Sequence, residues 1–192
     1  LNGAGIEDVY NMEGGMLAYN GLVAAGPPEA GVFCFPENLT PEELMAMAWY
    51  IEDGSQSFLR SIKESAQDPE LENVLTDLTA HKIDHKESLS KLYQNISGQL
   101  AGEDFPTNVL HKPPKNVMAG CVSVPEAVNW SKDKAISEII DLLMALEANT
   151  FDLYLKLGRQ VESERARSVF MKLSEEESRH LEKIASILEK TI

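Results

Sequence analysis

The sequence predicts an all-α protein in which four long helices form a bundle, with a long crossover between the second and third helices. Three observations support this fold class. Apolar residues recur at i, i+3, i+4 and i+7 over long segments, and residues typical of helix starts precede those segments. The second half of the chain also repeats the pattern of the first half at an offset of 95 residues. A short strand–turn–helix segment is predicted before the bundle.

The first two helices have clear start signals. Thr40 is a good N-cap, Pro41 suits the first helical position and Glu43 completes a capping box, so the first helix is predicted over residues 41–66. Asp68 and Pro69 begin the second helix, which is predicted to continue to residue 96. The short turn between these helices implies that they are antiparallel neighbours.

The second helix pair follows a long irregular connection. Residues 97–122 are rich in Gly, Pro and Asn and have no sustained period. A capping box that begins at Ser123 opens a short helix through Trp130, and the third and fourth long helices are predicted over residues 132–160 and 162–190. A connection of about 35 residues between the two pairs is long enough to cross the length of a bundle, as in the ferritin-like architecture.

Residues 1–37 differ from the rest of the chain and are predicted as a separate segment. Residues 7–12 are predicted as a short strand, residues 13–15 as a glycine turn and residues 16–25 as a short helix that ends at Gly26 and Pro27. Such a unit needs a sheet to join, and residues 38–192 supply no other clear strand. The sequence therefore predicts a bundle over residues 38–192 and a small N-terminal appendage.

Composition excludes several classes of partner. The chain has 192 residues and a formal charge of −14, which argues against binding to nucleic acid or to an anionic membrane surface. No run of eighteen apolar residues is present, so no transmembrane helix is expected. Two cysteines, Cys34 and Cys121, cannot build a disulfide framework, and we predict reduced thiols in a cytoplasmic protein, with a single bridge as the alternative.

The repeat carries ionisable residues on apolar helix faces. Glu52 precedes His85 by 33 residues, and Glu147 precedes His180 by the same number. The offset of 95 residues superimposes these two pairs and several apolar pairs, namely Leu59 with Tyr154, Ile62 with Leu157, Leu78 with Leu173, Leu89 with Ile184 and Leu92 with Ile187. Buried ionisable groups are costly unless they are paired or bind a metal. Both halves are therefore predicted to point carboxylates and imidazoles into a shared interior.

The spacing of these residues indicates a metal site. Glu177 and His180 form a Glu-x-x-His unit, in which consecutive helical turns bring a carboxylate and an imidazole to one ion. One glutamate from each of two helices, plus Glu-x-x-His from each of the other two, is the di-iron carboxylate arrangement. Oxygen and nitrogen ligands of this kind suit iron or manganese, and zinc can also occupy them.

Residues 40–192 resemble the rubrerythrin branch of the ferritin-like superfamily. The matching residues are Glu52 followed seven residues later by Leu59, Glu147 followed seven later by Tyr154, and the run 176–180, which reads Glu-Glu-Ser-Arg-His. The resemblance implies a non-haem iron site that supports peroxide reduction, oxygen chemistry or iron handling, usually in a homodimer. No rubredoxin-like cysteine site is present, so electrons would come from another protein.

The second helix departs from this pattern. Lys82 stands at the position that matches Glu177, and His81 stands at the position that matches Glu176. In one outcome, His81 substitutes as a ligand and two ions bind with altered geometry. In the other, the Lys82 ammonium takes the place of one ion. Charge counting favours the second outcome, because the three glutamates of the site are balanced by one divalent ion and one lysine.

The N-terminal segment has a resemblance of its own. Residues 11–21 resemble the closing strand, turn and helix of a rhodanese (sulfurtransferase) domain, over a match of about residues 6–31. The catalytic cysteine loop of that family would lie upstream, and Cys34 follows the matching helix, so no catalytic role is assigned to it. The resemblance implies a remnant that packs on the bundle or on a partner copy.

We therefore predict a cytoplasmic metal-binding bundle with rubrerythrin-like peroxide or oxygen chemistry and an external electron-donor protein. The predicted ligands are Glu52, His81, His85, Glu147, Glu177 and His180, and the predicted cofactor is iron, as one or two ions, with manganese or zinc as substitutes. One alternative is a metal-binding or storage module without turnover. Another is a structural or interaction bundle whose degenerate site is linked to a sulfurtransferase.

Overall fold

The computed structural model describes residues 39–66, 68–98 and 105–191, and these residues form an all-helical fold. The α-helices are α1 (Pro41–Lys63), α2 (Pro69–Ser97), α3 (Val124–Ser131), α4 (Ile136–Gln160) and α5 (Glu164–Thr191), with a 3₁₀ turn at Ala119–Cys121. No β-strand occurs within the described ranges. The predicted strand–turn–helix segment and rhodanese-like remnant of residues 1–37 lie outside those ranges.

The predicted capping residues start the first two helices. Thr40 Oγ1 accepts a hydrogen bond from the Glu43 amide at 3.2 Å, and Glu43 Oε2 accepts one from the Thr40 amide at 2.9 Å, which completes the capping box. Asp68 Oδ1 accepts from the Leu71 amide at 2.8 Å. These bonds satisfy amides that have no partner within the helix. Helix α1 ends three residues before the predicted limit, at Lys63.

Helix α4 begins at Ile136, four residues later than predicted. The reason is that α3 is a separate short helix that packs against α1, so the chain turns after Ser131 before α4 starts. The residue at the N-cap, Ala135, has no polar side chain. Glu138 instead caps the helix start, because its Oε2 accepts a hydrogen bond from the Ala135 amide at 3.0 Å. Sequence signals for an N-cap cannot locate a start of this kind.

The four long helices pack as two pairs. Helix α1 packs along α2, α4 packs along α5, and α2 contacts α5 across the two pairs. Only short connections separate the members of each pair, so they run antiparallel. Large buried apolar side chains from all four helices fill one core, among them Phe58, Leu75, Leu78, Ile140 and Tyr154.

The connection between the pairs lies directly against α1. A β-carbon placed on Gly54 would lie 2.0 Å from the backbone oxygen of Val117 and 2.7 Å from its carbonyl carbon. Gly54 is therefore needed for the close approach of the two backbones rather than for an unusual turn, since it lies within α1. Val117 also forms an isolated antiparallel bridge with Ser123, just before α3.

Two further observations bear on the predicted environment of the chain. Cys121 is disulfide-bonded, so the prediction of a reduced thiol at this position is wrong, and reduced cysteines no longer support a cytoplasmic location. Cys34 lies outside the described residues. Among the described helices, none combines the length and the apolar character that a membrane crossing requires.

Replacing Gly54 with alanine should destabilise the protein, because the added methyl group meets backbone atoms that cannot rotate away. We expect Gly54→Ala to lower the free energy of unfolding by about 1–3 kcal/mol, as overpacking does in other cores. Thermal or urea denaturation of the purified protein measures this change.

The matched control is Gly158→Ala in α4. A β-carbon there has ordinary contacts of 3.5 Å with Met171 Sδ and Phe170 Cβ. Alanine also favours a helix over glycine, so stability should stay the same or rise by up to about 1 kcal/mol. Equal stability of the two variants would show that the connection does not lie against α1 as described.

Candidate metal centre

Ionisable side chains from all four long helices meet in the interior. Glu52 comes from α1, Lys82 and His85 from α2, Glu147 from α4, and Glu177 and His180 from α5. Each of them is buried, with no more than 5% of its surface exposed. Their neighbours one helical turn away on each helix are core residues, so helical periodicity places these polar groups inward, as the sequence predicted.

Two groups of potential metal ligands share one carboxylate. In the first group, His85 Nδ1 lies 3.3 Å from Glu52 Oε1 and 3.1 Å from Glu177 Oε1. In the second group, His180 Nδ1 lies 3.3 Å from Glu147 Oε2 and 2.9 Å from Glu177 Oε2. Within each group one ligand atom per residue lies within 4.8 Å of the others. Glu177 thus directs one oxygen to each group, in the manner of a bridging carboxylate.

The Lys82 ammonium lies among the same three carboxylates. Its Nζ is 2.9 Å from Glu177 Oε1, 3.1 Å from Glu147 Oε2 and 3.4 Å from Glu52 Oε2. The first two contacts are hydrogen bonds, and the third is an ion pair without one. The Lys82 ammonium therefore lies among the three carboxylates that the sequence predicted as metal ligands. That it takes the place of an ion stays a prediction.

Mutual attraction sets the charge of this cluster. Burial alone would lower the pKa of Lys82, but the carboxylates of Glu147, Glu177 and Glu52 outweigh burial and hold that pKa well above its usual value. Burial likewise favours protonation of Glu52 and Glu177. Attraction from Lys82 and the contacts with the neighbouring histidines together outweigh burial and lower the pKa of both, strongly so for Glu177. Lys82 is therefore a cation at neutral pH.

The remaining carboxylate and the two histidines respond differently. Burial and repulsion from Glu177 raise the pKa of Glu147 to about 7. Burial opposes the charged form of His85, but attraction to Glu52 and hydrogen bonds to Glu176, Glu177 and Glu52 raise its pKa to about 11. The pKa of His180 is also raised, because hydrogen bonds to Glu147 and Glu177 outweigh the effect of burial.

Two residues outside the predicted ligand set contact it. The Tyr154 hydroxyl donates a hydrogen bond to Glu52 Oε1, and burial together with the Glu52 charge holds the pKa of Tyr154 well above its usual value. Glu176 Oε2 lies 3.1 Å from His85 Nε2. The hydrogen bond from His85 lowers the pKa of Glu176 although partial burial opposes this.

Sequence reasoning treated Tyr154 as a core residue and proposed no ligand or contact role for Glu176. A signal for both exists in the repeat: the offset of 95 residues places Tyr154 on Leu59 and Glu176 on His81. Some positions on the helix faces that point to the site carry different residues in the two halves. These positions are candidates for contacts that only one of the two ligand groups makes.

The structure does not bring His81 into either ligand group. Its side chain is exposed, and its ring centroid lies 4.6 Å from that of His180. Burial and repulsion from His180 and His85 lower the pKa of His81. His81 therefore borders the second group rather than sharing its carboxylates.

The donor set fits a divalent transition-metal ion. Each group supplies two carboxylates and one imidazole, which are ligands that iron and manganese accept. Glu52 Oε2 is also buried without a hydrogen-bond partner, and such an oxygen is costly unless a cation or a donor satisfies it. The Lys82 charge limits the fit, because it already balances one of the three negative charges.

Comparison with known proteins supports the fold alone. The chain is similar to the solved structure of a hypothetical protein from Pyrococcus furiosus, with a TM-score of 0.59 and 24% sequence identity over 79% of this chain and 89% of that one. A scan against known protein families finds no match, and neither does a search of curated proteins.

Proposed function

We propose that residues 38–192 form a ferritin-like four-helix bundle that binds iron and supports rubrerythrin-like redox chemistry with peroxide or oxygen. Two antiparallel helix pairs, α1–α2 and α4–α5, support this architecture, together with the long connection between them. The observation that carries the proposal is the position of Glu177, which offers one oxygen to each of two buried Glu–Glu–His groups.

Charge balance favours one ion rather than two. Glu52, Glu147 and Glu177 carry three negative charges when ionised, and Lys82 supplies one positive charge among them. Both histidines must lose their extra proton to bind an ion, and with them neutral one divalent ion would bring the buried cluster to neutrality. A second would leave an excess of positive charge in a medium of low polarity. The ligands of the ion would come from Glu52, His85, Glu147, Glu177 and His180, and manganese or zinc would compete with iron.

A single Fe²⁺ at this site would supply one electron to an oxidant on becoming Fe³⁺. Reduction of one hydrogen peroxide molecule to two water molecules consumes two electrons and two protons, so an external electron-donor protein is part of the proposal. The buried carboxylates and imidazoles exclude bulk water and hold the charges in place. A homodimer is proposed from the family resemblance, without nucleic-acid or membrane partners.

One observation favours a second candidate, a structural bundle that holds no metal. Lys82 with its three carboxylates, and the two histidines that contact them, already form a network of hydrogen bonds and ion pairs. Such a network satisfies buried charges without an ion. Metal binding separates the two candidates, and turnover separates the redox protein from a storage module.

Protein produced without added metal should bind about one Fe²⁺ or Mn²⁺ per chain when titrated anaerobically. Glu177→Gln should abolish this binding, because both ligand groups lose their shared carboxylate. Calorimetry, with elemental analysis of the dialysed protein, measures the stoichiometry.

The matched control is Glu175→Gln, the same change on an exposed residue of the same helix. It should bind metal as the wild type does. A wild-type protein that takes up no ion under these conditions would exclude the metal-binding proposal and leave the structural bundle.

Replacing Lys82 with glutamate should raise bound metal toward about two ions per chain, because the change removes a competing cation and restores the missing Glu-x-x-His unit. Lys91→Glu makes the same change at an exposed position of α2 and should leave the stoichiometry unchanged. If Lys82→Glu folds and binds no more metal than the wild type, the lysine does not take the place of an ion.

Iron-loaded protein, reduced anaerobically with dithionite and then freed of it, should consume hydrogen peroxide, and a reductant supplied continuously should sustain the consumption. Glu177→Gln should reduce the rate to that of the buffer, whereas Glu175→Gln should retain it. Peroxide loss is followed by a colorimetric assay. Tight iron binding without peroxide consumption would support the storage module instead.

A further inference from the structure

The two ligand groups occupy matching positions of the repeat but have different surroundings. The first group uses Glu52 and His85, the second uses Glu147 and His180, and Glu177 belongs to both. In each group the histidine Nδ1 lies 3.3 Å from the glutamate of the preceding helix. Because the ligands themselves match, any preference of an ion for one group must come from the residues that contact them.

Among the residues that the structure describes, the second ring nitrogen of the histidine has a carboxylate partner only in the first group. His85 Nε2 lies 3.1 Å from Glu176 Oε2, and an ionised carboxylate only accepts, so Nε2 carries a hydrogen. The contact with Glu176 orients the His85 ring so that Nδ1 faces Glu52 and Glu177. A carboxylate partner of this kind also increases the basicity of a metal-binding imidazole. The residue that matches Glu176 is His81, whose imidazole lies beside His180.

The terminal carboxylates of the two groups also differ. Lys82 hydrogen-bonds Glu147 Oε2, the oxygen that faces His180, at 3.1 Å. Glu52 receives no hydrogen bond from Lys82, and its Oε2 is buried without a donor. Its other oxygen accepts from the Tyr154 hydroxyl, whereas the residue that matches Tyr154 is the apolar Leu59. Lys82 therefore holds the terminal carboxylate of the second group, Glu147, by a hydrogen bond, whereas it contacts that of the first group, Glu52, only as an ion pair at 3.4 Å.

We infer that the single ion binds at the first group, Glu52, His85 and Glu177, and that Glu176 is a positioning residue that holds His85 for it. This inference rests on the proposed metal-binding function. Lys82 and Glu147 remain ion-paired beside the bound ion. Glu177 Oε1 contacts both Lys82 and His85, and a carboxylate oxygen has lone pairs for a hydrogen bond and an ion at once.

Co²⁺ is a suitable probe, because its visible absorption reports binding directly. Full-length protein is titrated as wild type and as Glu176→Gln, Glu176→Leu, Glu175→Gln and His81→Gln. We expect Glu176→Gln to weaken Co²⁺ binding about 10-fold and Glu176→Leu up to about 100-fold, the range found when such partners of a ligand histidine are removed. Glu175→Gln and His81→Gln should bind as the wild type does. Thermal unfolding of each metal-free variant verifies that it is folded.

Nitrogen-15 NMR of the histidine rings in the wild-type protein tests the same inference without a substitution. On addition of Zn²⁺, a diamagnetic substitute, the His85 Nδ1 signal should shift to that of a metal-bound nitrogen while Nε2 stays protonated. The His180 signals should keep the positions of an unbound ring. Binding through His180, or equally through both groups, would not produce this difference between the two rings.

The possible results separate the inference from the proposal on which it rests. If the wild type binds no Co²⁺ or Zn²⁺, the metal-binding function fails and the inference fails with it. If the wild type binds metal through His180, or if Glu176→Leu binds as tightly as the wild type, the function stands and the inference is overturned.

Discussion

The buried ion pairs of Lys82 constrain the arrangement of the four long helices. The ammonium comes from α2, and the carboxylates that surround it come from α1, α4 and α5. Each of these charges would cost several kcal/mol to bury alone, so each needs a partner of opposite charge in direct contact. The three carboxylate oxygens lie 2.9–3.4 Å from Lys82 Nζ. Removing one partner of such a buried pair typically costs about 3–5 kcal/mol, because the other charge is left without compensation. The apolar core provides most of the packing, but this cluster determines how the two helix pairs face each other.

The same cluster limits the chemistry of the interior. A lysine surrounded by carboxylates stays protonated, so it supplies a fixed positive charge and does not act as a base. The number of further positive charges that the site accepts is then set by the carboxylates that Lys82 leaves unbalanced. For the proposed metal site, ligand geometry and charge balance favour different numbers of ions. The shared position of Glu177 would suit a bridged pair of ions, whereas the Lys82 charge favours one ion.

Sequence periodicity located most of the helices and the centre of the site. The start signals at Thr40 and Asp68 correspond to real caps, and the apolar stripes placed Glu52, His85 and His180 inside. The start of α4 was wrong by four residues because its N-cap residue, Ala135, has no polar side chain and the chain turns between Ser131 and Ile136. The disulfide at Cys121 was only the alternative expectation, because nothing in the local sequence distinguishes a bonded cysteine from a reduced one.

Other features of the site depend on contacts between helices, which spacing along one helix does not reveal. The contact between Glu176 and His85 joins α5 to α2, and Glu176 is 91 residues from its partner in the chain. His81 was considered as a ligand because it lies one turn from His85 on the same helix. Four residues correspond to about 400° around the helix axis, so His81 is rotated by about 40° from His85. That rotation places it at the edge of the buried face, where its side chain is exposed.

Several residues at the centre differ in chemical character between the two halves of the repeat. The offset of 95 residues pairs Leu59 with Tyr154, His81 with Glu176 and Lys82 with Glu177, and all three pairs include a residue that contacts the buried carboxylates or histidines. The apolar positions, by contrast, match in character, as Leu89 and Ile184 do. A symmetric centre would give two equal ligand groups, each with the same charge. These three differences instead give one terminal carboxylate, Glu147, a hydrogen bond from Lys82, and they place the Tyr154 hydroxyl and the Glu176 carboxylate against Glu52 and His85 of the other group. The asymmetry of the interior therefore arises from a few polar substitutions within a packing pattern that the two halves share.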